Sequence, residues 1–98
     1  MLEEVYQQAL EYELSLRGIP FSAKKELRIT YKGKALDKLY IPDLFIKDEI
    51  IVELKSVKEL TSEHIAQLLN YMRITNTQVG YLVNFGSQKQ LEWKRFVL

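Results

Sequence analysis

The sequence predicts an α/β fold whose elements follow in the order αβββαβ, with four strands in a central mixed sheet flanked by helices. Three patterns carry this prediction. Apolar residues recur at three and four ahead of Gly18. Three strand-like stretches then follow without a helical period between them, and a second helical period separates them from a fourth.

From Leu2 to Arg17 the residues Leu2, Val5, Tyr6, Ala9, Leu10, Leu14 and Leu16 form one side of an amphipathic helix, which Gly18 and Pro20 end. Lys25 to Tyr31 alternates Leu27, Ile29 and Tyr31 with Glu26, Arg28 and Thr30, a strand with one buried face, and Lys32-Gly33-Lys34 is its turn. Leu39 to Ile46 reads as the second strand and Ile50 to Lys55 as the third, with Lys47-Asp48-Glu49 as the hairpin loop. The run Ile50-Ile51-Val52 suits a central position. Thr61 or Ser62 N-caps the second helix, with Glu63 in its first turn. The helix continues through Ile65, Leu68, Leu69 and Met72 to about Thr75, and Asn76 ends it. Val79 to Phe85 is the fourth strand. Leu91 to Leu98 fits neither period.

The 98 residues, 47% hydrophobic and 11% aromatic, suffice for one domain spanning positions 1–98 and exclude a disordered chain. About two thirds of the unfolded surface can be buried at this size. Zero cysteines exclude a disulfide scaffold, a thiolate nucleophile and cysteine-based zinc or iron–sulfur sites, and the lone His64 excludes a histidine-rich metal site. Met1-Leu2-Glu3-Glu4 is acidic where a secretory leader is basic, and no apolar run approaches the ~20 residues of a membrane span. The expectation is a cytoplasmic protein with no membrane partner. With 14 Lys and Arg against 13 Asp and Glu, bulk charge alone does not hold the chain to nucleic acid. Its distribution is uneven: Glu3, Glu4, Glu11 and Glu13 crowd the first helix, while Lys24, Lys25, Arg28, Lys32, Lys34, Lys38, Lys89, Lys94 and Arg95 follow.

Glu53 and Lys55 interrupt a strand otherwise built from Ile50, Ile51, Val52 and Leu54. Spacing of two places both on one strand face. Buried charge there must be paired, hydrogen-bonded or bound to a metal. Asp43, after Pro42 in the preceding strand, supplies a third member. Two carboxylates can share a divalent cation while a lysine steadies developing negative charge, a division of labour that suits phosphodiester hydrolysis. Register decides whether they meet, because paired residues on neighbouring antiparallel strands face the same side and their numbers have a constant sum. For Asp43 to face Glu53 the sum is 96, which sets Ile46 opposite Ile50 across a three-residue loop. Spacing alone also admits a turn residue after proline beside an ordinary edge-strand ion pair.

Pro42-Asp43, nine intervening residues and Glu53-Leu54-Lys55 resemble the signature of the PD-(D/E)XK nuclease superfamily, and Gln67-x-x-x-Tyr71 resembles a motif several of its members carry. Leu2-Glu3-Glu4-Val5-Tyr6, Tyr12-Glu13-Leu14, Arg17-Gly18, Ile51 to Lys55, Ala66 to Tyr71, Asn84-Phe85-Gly86 and Lys94 to Leu98 resemble the GxxExxY proteins, a bacterial and archaeal branch of that superfamily. The likeness runs over essentially the whole chain.

The resemblance implies a restriction-endonuclease-like core in which Asp43 and Glu53 ligate Mg²⁺ or Mn²⁺, Lys55 orients the water or stabilises the pentavalent phosphate, and Gln67 supports the site. Glu3 and Tyr6 take the places of the Glu and Tyr in the family's name. Glu3, Tyr6, Leu10 and Glu13 share a helix stripe, so either glutamate is a candidate further metal ligand, Glu3 ahead of Glu13, and the other reading of Glu3 is a solvated carboxylate favoured by the helix dipole. The implied partner is nucleic acid, DNA ahead of RNA. The family's Gly falls one position before Met1 and its usual upstream helix is missing, so the expectation is an exposed face that a second copy covers as a homodimer.

Other residues have two readings each. Tyr71 stacks on a base or fills core, His64 shuttles protons or sits on the surface, and Trp93 contacts nucleic acid or closes the core. Lys24, Lys25 and Lys32-Gly33-Lys34 are candidates to hold phosphates. The sequence thus points to a Mg²⁺-dependent nuclease, with a non-catalytic nucleic-acid- or protein-binding module, or a subunit of a larger assembly, as the alternatives.

Overall fold

The computed structural model describes residues 2–88 and 90–98; Met1, the side chain of Leu2, and Lys89 of the basic stretch lie outside the described residues. Helix α1 (Leu2–Leu16) ends where expected, one residue short of Arg17. Gly18 takes φ +67°, and the Gly18 and Ile19 amides donate to the carbonyls of Ser15 and Leu14 at 3.1 and 3.0 Å. This left-handed cap satisfies carbonyls that the helix leaves open, and it folds Ile19 back onto Leu14.

Seven strands and one further helix follow: β1 (Phe21–Ala23), β2 (Leu27–Tyr31), β3 (Lys34–Tyr40), β4 (Leu44–Ile46), β5 (Ile50–Lys55), α2 (Ser62–Ile74), β6 (Val79–Asn84) and β7 (Glu92–Val97). The central sheet is mixed and flanked by helices, as the sequence predicts, but it has five strands rather than four, in the order β1-β4-β5-β6-β7. Only β5 and β6 run parallel, joined across α2; the other pairs are antiparallel.

Two strand assignments need correction, and two strands, β1 and β7, join them. The strand read at Lys25–Tyr31 is not part of the central sheet; it is β2, paired only with β3 in a separate two-stranded hairpin. Lys32 (φ +49°) and Gly33 (φ +79°) make the tight turn of that hairpin. The strand read at Leu39–Ile46 is two strands, β3 and β4, broken at Ile41-Pro42-Asp43, because proline has no amide to donate to a ladder. The unassigned C-terminal stretch is edge strand β7. With three residues, β1 is too short to show a period.

Ile46 lies opposite Ile50, Phe45 opposite Ile51 and Leu44 opposite Val52, which is the register of sum 96. The loop between them has three residues, with Lys47 and Asp48 both left-handed at φ +55° and +54°. Alternation along β5 then sorts the core into two faces. Val52 and Leu54 join Leu14 and Leu44 under α1. Ile51 joins Phe45, Leu68, Met72 and Leu82, with Ile29 and Tyr40 of the hairpin, beneath α2. Glu53 and Lys55, in phase with Ile51, belong to the α2 face. There the helix sits close over Gly80, where a Cβ would come within 2.6 Å of Met72 Sδ.

Thr61 caps α2: its Oγ1 accepts from the His64 amide at 3.3 Å, and His64 Nδ1 accepts from the Thr61 amide at 3.0 Å. His64 is thereby committed to the cap. Asn76, left-handed at φ +57°, ends the helix, with the Thr77 amide on the Met72 carbonyl at 2.8 Å. Among the described residues no helix is long and apolar enough to cross a membrane.

Fully buried Asn84 fastens the loops beyond β5 and β6. Its Oδ1 accepts from the amides of Val57 (2.9 Å) and Gly86 (3.0 Å), and its Nδ2 donates to the Val57 carbonyl (2.8 Å) and to Glu92 (2.9 Å). Glu92 also accepts the Leu60 amide at 3.1 Å. Replacing Asn84 with Ala strands several buried backbone groups, so Asn84→Ala is expected to lose about 2–4 kcal/mol in denaturant unfolding. Gly86→Ala is expected to destabilise more than Gly80→Ala in the same assay. A Cβ at Gly86 meets the Val57 backbone at 2.5 Å, whereas at Gly80 it meets side chains.

Candidate active site

Asp43 follows the proline break and continues the β4–β5 ladder with side chains in place of backbone. Its amide donates to Glu53 Oε1 at 3.0 Å, and its Oδ2 accepts the Leu54 amide at 2.8 Å. The two carboxylates are therefore brought together as the register requires. Lys24 reaches the same residue twice, with its amide 3.3 Å from the Asp43 carbonyl and its ammonium 2.6 Å from Oδ1. The left-handed backbone of Lys24 (φ +55°) turns both groups toward Asp43.

Burial raises the Glu53 carboxyl above the usual glutamate range; the Asp43 amide opposes this and the Asp43 charge adds to it. The Lys24 ammonium is raised above its ordinary value, first by its hydrogen bond to Asp43, with partial burial opposing. Lys55 lies one pleat beyond Glu53 on the same face, half-buried, and its ammonium makes no ion pair among the described residues. Neighbouring strand β6 sets Asn84 beside it.

The remaining candidates are distributed unevenly. Glu3 is exposed and lines a groove of about 260 Å³ with Glu4, Gln7, Lys24, Asp43 and Leu54. Among the described residues no three His, Asp or Glu side chains come close enough to hold one metal, so Asp43 and Glu53 stand as a pair. Lys25 turns away to Asp48, at 3.2 Å, and over the Phe45 ring. Gln67 is exposed on α2 and makes no side-chain hydrogen bond to the pair. Tyr71 stacks flat on Tyr40, with ring centroids 3.9 Å apart and planes within 7°. Tyr6 stacks on Phe85 at 4.3 Å, pinning α1 to the segment after β6. Trp93, 58% exposed, lies against Tyr81 and leaves that face open.

Two site residues escape the sequence reading. Gln7, only 3% exposed, donates to the Asp43 carbonyl at 2.8 Å and to Glu11 at 2.9 Å. Its signal was the stripe Glu3, Gln7, Glu11, spaced by four. Tyr40 is buried with its hydroxyl unpartnered beside Glu53. Its burial raises the phenol far above its ordinary value, and the Glu53 charge adds to this. Nothing in the period of the strand marks it.

A carboxyl raised by folding contributes stability below the ordinary glutamate range, and that stability is lost as pH rises through the folded value. Glu53→Gln removes the ionisation and keeps an oxygen to accept the Asp43 amide. Without divalent ions it is expected to raise Tm at neutral pH, with the difference vanishing in acid. Thermal unfolding across that range checks this, and an unchanged neutral Tm contradicts it.

The sequence model described as the PD-(D/E)XK nuclease superfamily matches residues 1–96. No curated protein matches the chain. The crystal structure of SSO0001 is similar, with a TM-score of 0.73 at 20% identity over 98% of this chain and 50% of that one. An alkaline exonuclease (LHK-Exo) from Laribacter hongkongensis is similar with a TM-score of 0.64 at 17% identity, over 96% of this chain and 55% of that one. The chain thus spans about half the length of either solved structure, and the likeness is one of fold. With its signature residues brought onto one hairpin and the family match running nearly end to end, the chain belongs to the PD-(D/E)XK nuclease superfamily.

Proposed function

We propose that this protein is a divalent-metal-dependent nuclease that hydrolyses phosphodiester bonds in nucleic acid, DNA ahead of RNA, with Asp43, Glu53 and Lys55 as its catalytic residues. The observation that carries the reading is the pair of hydrogen bonds by which Asp43 meets Glu53 and the Leu54 amide, which brings two carboxylates together on the strand that carries Lys55, a lysine with no ion pair among the described residues. Hard oxygen donors suit Mg²⁺ or Mn²⁺, and the Lys24 ammonium already seated on Asp43 supports the fit of a positive charge there. Asp43 and Glu53 would hold the ion, with Glu3 at the groove mouth as the further candidate; when bound, it supplies a Lewis acid for the phosphate and lowers the pKa of an attacking water.

The chain's own groups do the rest. Asp43 is oriented by Leu54 and Lys24, and Glu53 by the Asp43 amide. Lys55, free of a protein partner among the described residues, is available to the phosphate oxygen on which charge accumulates. Lys24 adds a second positive charge at the groove. Gln67 and Tyr71 act from α2, and Lys25 meets the nucleic-acid backbone farther off.

The GxxExxY branch is supported by the Tyr6–Phe85 stack and by Glu3 in the groove. The lack of cysteine supports a cytoplasmic setting. Val5, Tyr12 and Leu16 form an exposed stripe on α1, and a second copy covers it in a homodimer. A second reading, a non-catalytic binding module, is favoured by two observations: Lys24 neutralises Asp43, and among the described residues no third ligand joins the pair.

Cleavage of single-stranded, double-stranded and branched DNA and RNA with Mg²⁺ or Mn²⁺ separates the two. Wild-type protein is expected to cut, Glu53→Ala to lose metal-dependent cutting, and Lys55→Ala to fall about 100-fold or more while still binding nucleic acid. Equal behaviour of all three across the panel would leave the binding module standing.

A further inference from the structure

Tyr40 closes β3 three residues before Asp43, and its ring lies against Tyr71 of α2. The side chain is 4% exposed, and its hydroxyl is the buried side-chain polar atom that lacks a hydrogen-bond partner among the described residues. An orphaned buried hydroxyl destabilises a fold unless something completes it. Its polar neighbours are Glu53 and, beyond it, Asp43. Glu53 Oε1 is engaged by the Asp43 amide at 3.0 Å, and the Tyr40 hydroxyl lies near enough to that carboxylate to favour its charged form while falling short of a well-formed hydrogen bond among the described residues.

We propose that Tyr40 is a positioning residue whose hydroxyl is held in reserve for Glu53, donating to the carboxylate once a divalent cation engages the Asp43–Glu53 pair. The inference rests on the metal site proposed above. It gives Tyr71 a part that does not require contact with substrate: stacked at 3.9 Å, it is the flat wall that keeps the Tyr40 ring at the carboxylate. A hydrogen bond to a ligating carboxylate orients it, and groups in this position strongly affect metal affinity. The orphan state and the loaded state then place opposite demands on one atom.

Tyr40→Phe keeps the stacked ring and deletes only the oxygen, so the two demands can be read separately in the full-length chain. Thermal unfolding without divalent ions is expected to give Tyr40→Phe a Tm equal to or above that of wild type. Calorimetric titration with Mg²⁺ or Mn²⁺ alone is expected to show about tenfold weaker binding in Tyr40→Phe, with Tyr71→Phe unchanged. A lower metal-free Tm in Tyr40→Phe overturns the proposal, since the hydroxyl would already be satisfied in the empty fold. Wild-type affinity in Tyr40→Phe overturns it too, as does an equal loss in Tyr71→Phe. Glu53→Gln separates this failure from failure of the site. If wild type binds the ion, Glu53→Gln does not and Tyr40→Phe does, only the role of Tyr40 falls. If wild type binds neither ion, the metal site and this role fall together.

Discussion

The structure turns on Asp43, which uses every polar group it has. Its amide meets Glu53, its carbonyl takes Gln7 of α1 and the amide of Lys24, and its carboxylate takes the Leu54 amide and the Lys24 ammonium. One residue after a proline thereby ties α1, the end of β1, β4 and β5 together. Hydrogen bonds to a charged group contribute about 1.5–3 kcal/mol each, and they offset the desolvation of a half-buried carboxylate. Moving the β4–β5 register by one residue would turn Asp43 to the opposite face from Glu53 and break most of these bonds at once. The three-residue loop with its left-handed Lys47 and Asp48 is the local means of preventing that slip.

Around this hub the two faces of the sheet are built differently. The α1 face is apolar beneath the helix, with Leu44, Val52 and Leu54 against Leu14, and Tyr6 extends the contact to Phe85. The α2 face carries apolar residues at one end of β5 and charge at the other, so α2 covers Ile51 and Leu82 while Glu53 and Lys55 lie toward the strand's end. Parallel β5 and β6 finish side by side at Lys55 and Asn84. Ends of parallel strands where connections diverge are open to ligands, and Asn84 fastens the loops there. The β2–β3 hairpin supplies Tyr40 from above.

Much of this was legible in the sequence because it depends on local periods. Gly18 and Asn76 mark helix ends through their left-handed backbones, Thr61 marks a start, and the spacing of Asp43 and Glu53 names the register, sum 96, that their meeting requires and that β4 and β5 adopt. The strand read through Pro42 was wrong for a reason of the same kind: the apolar alternation continues across a residue that cannot serve the ladder. Placement of β2 in the central sheet failed differently, because alternation reports one buried face and not which partner covers it. Gln7 and Tyr40 were unreadable as site residues because their roles are long-range. Each is defined by a neighbour 36 or 13 positions away, a carbonyl of Asp43 for Gln7 and a carboxylate of Glu53 for Tyr40.

Left-handed non-glycine residues serve turns and a helix end at Lys32, Lys47, Asp48 and Asn76, but at one spot such a residue coincides with two further departures from local preference. Lys24 holds a left-handed backbone without being glycine, Glu53 is largely withdrawn from water, and Tyr40 has no well-formed hydrogen bond to its hydroxyl among the described residues. Elsewhere the end of α1 and both ends of α2 are capped, and the fully buried amide side chain of Asn84 is hydrogen-bonded through both its oxygen and its nitrogen. Three departures of different kinds gathered around one pair of carboxylates mark that region as held for something other than stability. All three departures are of a kind that positive charge at the carboxylates would relieve: it would release Lys24 from Asp43, compensate the buried Glu53 and give Tyr40 a charged acceptor. The scaffold stores the mismatch because the Asp43 bonds on either side of it leave the carboxylates no other place to go.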